Sequence, residues 1–136
     1  MPNSTLHHVG FVVASAKDSI APFRNSLAAK SVSEVFNDPL QHASVVFLEP
    51  DSSDGVKIEL VAPLGPSSPV SAFVQKGGGL HHLCYEVDDL DSELQKARAR
   101  KQVLIRPPKP AVAFGGRRIA WVVTSEKLLI EYLERE

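Results

Sequence analysis

Two histidine pairs and two strand-borne glutamates are the side chains here whose types and spacing could do chemistry together. The first pair stands in Leu6-His7-His8-Val9-Gly10-Phe11-Val12-Val13, and the second follows 74 residues later in Leu80-His81-His82-Leu83-Cys84-Tyr85-Glu86-Val87. Each is followed by an alternating stretch with one central carboxylate. Lys57-Ile58-Glu59-Leu60-Val61 places Glu59 51 residues after His8, and Leu128-Leu129-Ile130-Glu131-Tyr132-Leu133 places Glu131 49 residues after His82. A repeat covering half of a 136-residue chain implies a duplicated module. Packed about a pseudo-twofold axis, the copies would bring His8, Glu59, His82 and Glu131 into one cluster.

Two imidazoles and two carboxylates make a nitrogen and oxygen set suited to a divalent ion such as Zn, Co, Ni, Mn or Fe, and disfavour soft copper or iron–sulfur chemistry. Four protein ligands on an ion that prefers six leave two positions for neighbouring substrate oxygens. There a Lewis acid stabilises an enolate or enediolate. A carboxylate beside that substrate is a candidate general base. With Glu59 and Glu131 on opposite sides, one takes a proton from carbon while the other returns it to the opposite face, which is the logic of an epimerase.

The positioning elements follow from local pattern. Residues 6–14 read as a strand with His8, Gly10 and Val12 on one face and His7, Val9 and Phe11 on the other. Ser15 is a candidate N-cap for a helix to Ala29 whose apolar positions are Ile20, Phe23 and Leu27, with Pro22 leaving its start open. Residues 31–37 read as a short edge strand, Asn37-Asp38-Pro39 as a turn and residues 43–49 as a strand. Asp51-Ser52-Ser53-Asp54-Gly55 reads as the hairpin turn into the strand of Glu59, where Ile58 and Leu60 face away from the carboxylate. Residues 62–79 form a joint with one short helix around Val70, Phe73 and Val74, ending in Gly77-Gly78-Gly79.

The second half repeats this grammar. A strand over residues 80–87 leads to Asp88-Asp89-Leu90-Asp91, whose carboxylates suit the start of a helix running to about Lys101. Leu90, Leu94 and Ala97 form its buried side, and Glu93, Lys96, Arg98 and Arg100 its wet side. Val103 to Ile105 reads as a strand stopped by Pro107, Pro108 and Pro110. Gly115-Gly116 and Ser125-Glu126-Lys127 turn the chain into the strands carrying Trp121 and Glu131. The expected fold is α+β, two tandem βαβββ modules forming a curved mixed sheet around a metal cavity. It is one domain over residues 1–136, with module one over about 5–62, a joint over about 63–79 and module two over about 80–136.

Composition narrows the class further. Net charge is −1, so there is no electrostatic case for nucleic acid or an anionic membrane surface. A single cysteine, Cys84, excludes an intrachain disulfide and fits a reducing cytoplasm. The polar start Met1-Pro2-Asn3-Ser4-Thr5 shows no signal core, and no apolar run approaches a membrane span. Plainer readings cover the remaining residues. His7 and His81 read as structural or solvent-facing, Glu86 and Glu134 as solvated, Cys84 as a buried inert thiol, and Arg117 and Arg118 as exposed hairpin charges. His42 and Lys57 carry no comparable support.

At these residues the chain resembles the vicinal oxygen chelate (glyoxalase/bleomycin resistance/dioxygenase) superfamily, within it the epimerases of methylmalonyl-CoA. The matching segments are residues 6–10, 58–64 with 68–70, 79–82, 87–90, 115–121 and 129–131. The resemblance implies that His8, His82 and Glu131 are metal ligands and that Glu59 occupies a position taken by Gln or Glu. It also implies catalytic roles for Glu131 and Glu59, an acyl-CoA substrate and a homodimer. Some similar enzymes carry a second base where this chain reads Ser44-Val45-Val46, which passes that role to Glu59. Two alternatives stay open: a lactoylglutathione lyase-type isomerase, and a metal-free small-molecule binding protein of the same fold.

Overall fold

A computed structural model describes residues 4–51 and 55–136, so the middle of the expected turn over 51–55 and the first three residues of the polar start lie outside the described residues. The chain forms two compact units, one of residues 8–81 and the other of residues 4–7 with 82–136. In the first, β1 (Ser4–Val12) contributes its residues from His8 onward, followed by α1 (Ala16–Leu27), β2 (Ala29–Val32), β3 (Phe36–Asp38), β4 (Ala43–Pro50), β5 (Lys57–Pro63) and α2 (Ser71–Gln75). β1 runs parallel to β5, β4 pairs antiparallel with β5, and β2 and β3 both pair antiparallel with β4.

Alternation decides which residues α1 covers. Val46, Leu48, Leu60 and Ala62 are buried with Ala16, and Phe11, Val13, Ile20, Phe23 and Ile58 pack against them. Each fully buried leucine contributes about 1.5–3 kcal/mol of transfer free energy. The other face of β1 and β5 keeps His8 and Glu59. Ser15 caps α1 by accepting from the Asp18 amide at 3.2 Å, and Ala28 ends it in the left-handed region at φ 48°. Pro22 sits inside the helix and on its exposed side, so its ring and missing N–H disturb a carbonyl that water can reach. The expected single strand over 31–37 is two strands, interrupted at 33–35. Asn37 and Asp38 belong to β3, and the turn follows them, with Asp38 Oδ1 accepting from the Leu40 and Gln41 amides.

The second unit holds β6 (Gly79–Val87) from His82 onward, α3 (Leu90–Ala99), β7 (Val103–Pro110), a 3₁₀ turn (Val112–Phe114), β8 (Arg118–Val123) and β9 (Leu129–Glu134). β6 is parallel to β9, and β8 is antiparallel to both β9 and β7. Asp89 caps α3 through the Ser92 amide at 3.0 Å. Leu90 and Ala97 are buried with Val87, Ala120, Val122, Ile130 and Tyr132, and Leu94 packs beside them.

Two expectations are corrected here. Glu93 is buried rather than wet, because Arg100 reaches it at 3.1 Å and also donates to the Tyr132 hydroxyl. β7 also runs through its prolines to Pro110. It ends the strand order and breaks register between Leu104 and Arg106 and again between Arg106 and Lys109, and an edge with bulges needs no N–H from Pro107 or Pro108. No helix among the described residues is long and apolar enough to cross a membrane.

Candidate functional site

His8 and Glu59 meet because parallel pairing aligns their strands. The register sets Gly10 beside Glu59 and His8 beside Lys57, and side chains at paired positions share a face. Gly10 carries no side chain, so the glutamate reaches past it along the sheet. His8 Nε2 lies 3.3 Å from Glu59 Oε1, with the two side chains 0% and 5% exposed. Phe47 is the antiparallel partner of Glu59 on β4, and its ring stands edge-on to His8 with centroids 5.4 Å apart at 65°.

The second unit builds the same pair from its own strands. Cys84 takes the place of Gly10 beside Glu131, and His82 stands two residues before it. His82 Nε2 lies 3.2 Å from Glu131 Oε1, with side chains 1% and 2% exposed. Trp121 is the antiparallel partner of Glu131 on β8, and its ring meets His82 edge-on at 4.7 Å and 80°. Each unit therefore brings one predicted histidine onto one predicted glutamate, deep enough that both need partners. His8, Glu59, His82 and Glu131 offer imidazole nitrogens and carboxylate oxygens suited to ligating a metal.

Phe47 and Trp121 are site neighbours that the sequence reading did not single out. The available signal was their spacing, since they stand 74 residues apart like His8 and His82 or Gly10 and Cys84.

The remaining candidates resolve individually. His7 and His81 are half-buried and lie edge-on to Phe114 and Phe73, at 5.6 and 5.0 Å. Cys84 is fully buried, outside any disulfide, and packed with Ala111, Ile119 and Leu133. His42 is exposed and Lys57 half-buried.

Glu86 and Glu134 are not simply solvated, nor are Arg117 and Arg118 simply exposed. Arg117 pairs with Glu86 at 2.8 Å, while Arg118 holds Glu134 through both carboxylate oxygens at 3.0 and 2.9 Å. Burial alone would raise the Glu86 carboxyl. The hydrogen bond from Arg117, with the charges of His7, Arg117 and Arg135, outweighs burial and holds it below the ordinary 4.5. The Arg118 hydrogen bond likewise holds Glu134 below 4.5, with the Leu90 amide assisting.

Comparison with known proteins agrees with this architecture. Residues 7–121 match the family model of the Glyoxalase/Bleomycin resistance protein/Dioxygenase superfamily. The ethylmalonyl-CoA/methylmalonyl-CoA epimerase of Cereibacter sphaeroides is 37% identical over 100 residues, 70% of this chain and 72% of the relative. The human mitochondrial methylmalonyl-CoA epimerase is 37% identical over 71% of this chain, and the match spans about half of that protein's length, 53%. Among solved structures, the methylmalonyl-CoA epimerase of Mycobacterium tuberculosis superposes with a TM-score of 0.83 at 27% identity, over 96% of this chain and 87% of the other. The chain has the vicinal oxygen chelate fold and belongs to the glyoxalase/bleomycin resistance/dioxygenase superfamily, with methylmalonyl-CoA epimerases among its relatives.

Proposed function

We propose that the protein is a metal-dependent epimerase of a 2-substituted malonyl-CoA, in which His8, Glu59, His82 and Glu131 hold one divalent ion and Glu59 and Glu131 move the proton at C2. The observation that carries this reading is the duplicated pair, His8 with Glu59 and His82 with Glu131, each buried and each built from two parallel-paired strands. The donor set fits the group. Neutral imidazoles ligate through a lone pair, an ionised carboxylate supplies negative charge that a divalent cation offsets where water cannot, and a protonated one still offers its carbonyl oxygen. When bound, the ion supplies Lewis-acid stabilisation of negative charge on the substrate's thioester and carboxylate oxygens.

The chain's own residues then carry the proton. One glutamate is ionised and the other protonated before reaction. The ionised carboxylate takes the C2 proton, leaving the bonding pair delocalised into the thioester as an enolate. The second carboxylic acid delivers its proton to the opposite face of C2. The protonation states of the two glutamates are then exchanged, so the enzyme is poised for the reverse direction. Acid–base catalysis of this kind is worth about 10²–10⁴-fold in rate.

A single buried cysteine outside any disulfide suits a reducing cytoplasm, and the resemblance implies a homodimer. The test is deuterium uptake at C2 of methylmalonyl-CoA in heavy water, alongside elemental analysis of the purified protein. Exchange above a metal-stripped control, with near-stoichiometric transition metal, is expected. No exchange above that control overturns the reading, and turnover of methylglyoxal with glutathione instead would identify the lyase-type isomerase.

A further inference from the structure

We infer that Phe47 and Trp121 are positioning residues, whose rings hold the imidazole planes of His8 and His82 in the orientation that metal ligation demands. The inference rests on the metal reading above and extends it to two aromatic residues outside the ligand set.

A histidine's ring torsion is broad, so strand geometry alone does not fix where its lone pair points. Ligation requires that direction to be held within about 10–20°. In each unit a ring packs edge-on against the histidine, at 5.4 Å for Phe47 and 4.7 Å for Trp121. Both occupy the same register position, directly beside the glutamate on the neighbouring antiparallel strand. The residue separating histidine from glutamate differs freely between the units, Gly10 in one and Cys84 in the other, whereas an aromatic ring stands at both outer positions. Phe47 is buried and Trp121 half-buried.

The experiment uses cobalt(II) as probe, with metal-stripped full-length chains in equilibrium dialysis and thermal unfolding of each metal-free chain measured in parallel. Trp121→Leu is expected to weaken cobalt binding tenfold or more while the metal-free unfolding temperature stays within a few degrees, as removal of groups that orient metal ligands typically costs about 10–100-fold. Trp121→Phe, which installs the ring found in the other unit, is expected to keep affinity within about threefold of the wild type. Phe47→Leu carries the same test in the first unit if Trp121→Leu fails to fold. Wild-type affinity in Trp121→Leu or Phe47→Leu overturns the positioning role, as does an equal loss in Trp121→Phe. A wild-type chain that binds no cobalt overturns the metal reading itself. Cobalt binding by the wild type with undiminished affinity in the leucine variants overturns only the positioning role.

Discussion

Glu59 and Glu131 are chemically similar residues in similarly built pairs, and the two-base proposal makes them separable by stereochemistry. Each should serve one face of C2. Glu59→Gln keeps an oxygen beside His8 but loses the ability to carry a proton. Interconversion of the two diastereomers is expected to fall about 10²–10⁴-fold in this variant. Solvent exchange at C2 should persist for the diastereomer whose proton faces Glu131, because that carboxylate can still remove and return it on its own side. Separate incubation of each diastereomer in heavy water, read by NMR, checks this. Retention of full interconversion would limit Glu59 to a ligand's role, and Glu131→Gln should show the complementary pattern.

At the scale of elements, two backbone features of the first unit have measurable consequences. Gly78 has φ +71°, and a β-carbon added there would lie 2.5 Å from the Val12 carbonyl oxygen at the end of β1. Backbone cannot step aside as a flexible side chain would, and the conformation itself disfavours a side chain. Gly78→Ala should therefore destabilise the protein by about 1–3 kcal/mol in denaturant unfolding. Unchanged stability would show that this approach is not rigid. Pro22 points the other way. It lies inside α1 on the exposed side, where proline costs up to about 3 kcal/mol relative to alanine. Pro22→Ala should raise the unfolding midpoint, and a lowered midpoint would mean the proline serves a conformation that alanine does not favour.

At the scale of the whole molecule, stability toward acid follows from the charged groups of the second unit. Arg117 and Arg118 hold Glu86 and Glu134, and Arg135 adds a pair with Asp88 at 2.6 Å. Both glutamates have folded values below the ordinary 4.5, so the native state binds fewer protons than the unfolded chain in that range. Their stabilisation is fully present above pH 4.5 and is lost as pH falls through the lowered values. Unfolding midpoints should thus decline below about pH 4.5, and Glu134→Gln should flatten part of that decline. An acid limb unchanged by this variant would remove Glu134 from the account.

The sequence by itself determined the repeat and the strand face on which each candidate stands. Repetition at 74 residues and period-two alternation placed His8 with Gly10 and Val12, and set Glu59 and Glu131 opposite apolar neighbours. Those are short-range properties, readable because a strand's faces are decided by its own residues. The caps at Ser15 and Asp89 were legible for the same reason. What only the tertiary structure decided is which distant residues become neighbours. Trp121 lies against His82 because β8 pairs with β9 in one register and not the next, and Glu93 is buried because Arg100 and Tyr132 close over it. The prolines of β7 are tolerated because that strand ends its sheet order, a fact about neighbours and not about proline. A side chain's face is a local quantity, whereas its partner depends on register and on which strand arrives alongside, and no window of sequence contains that information.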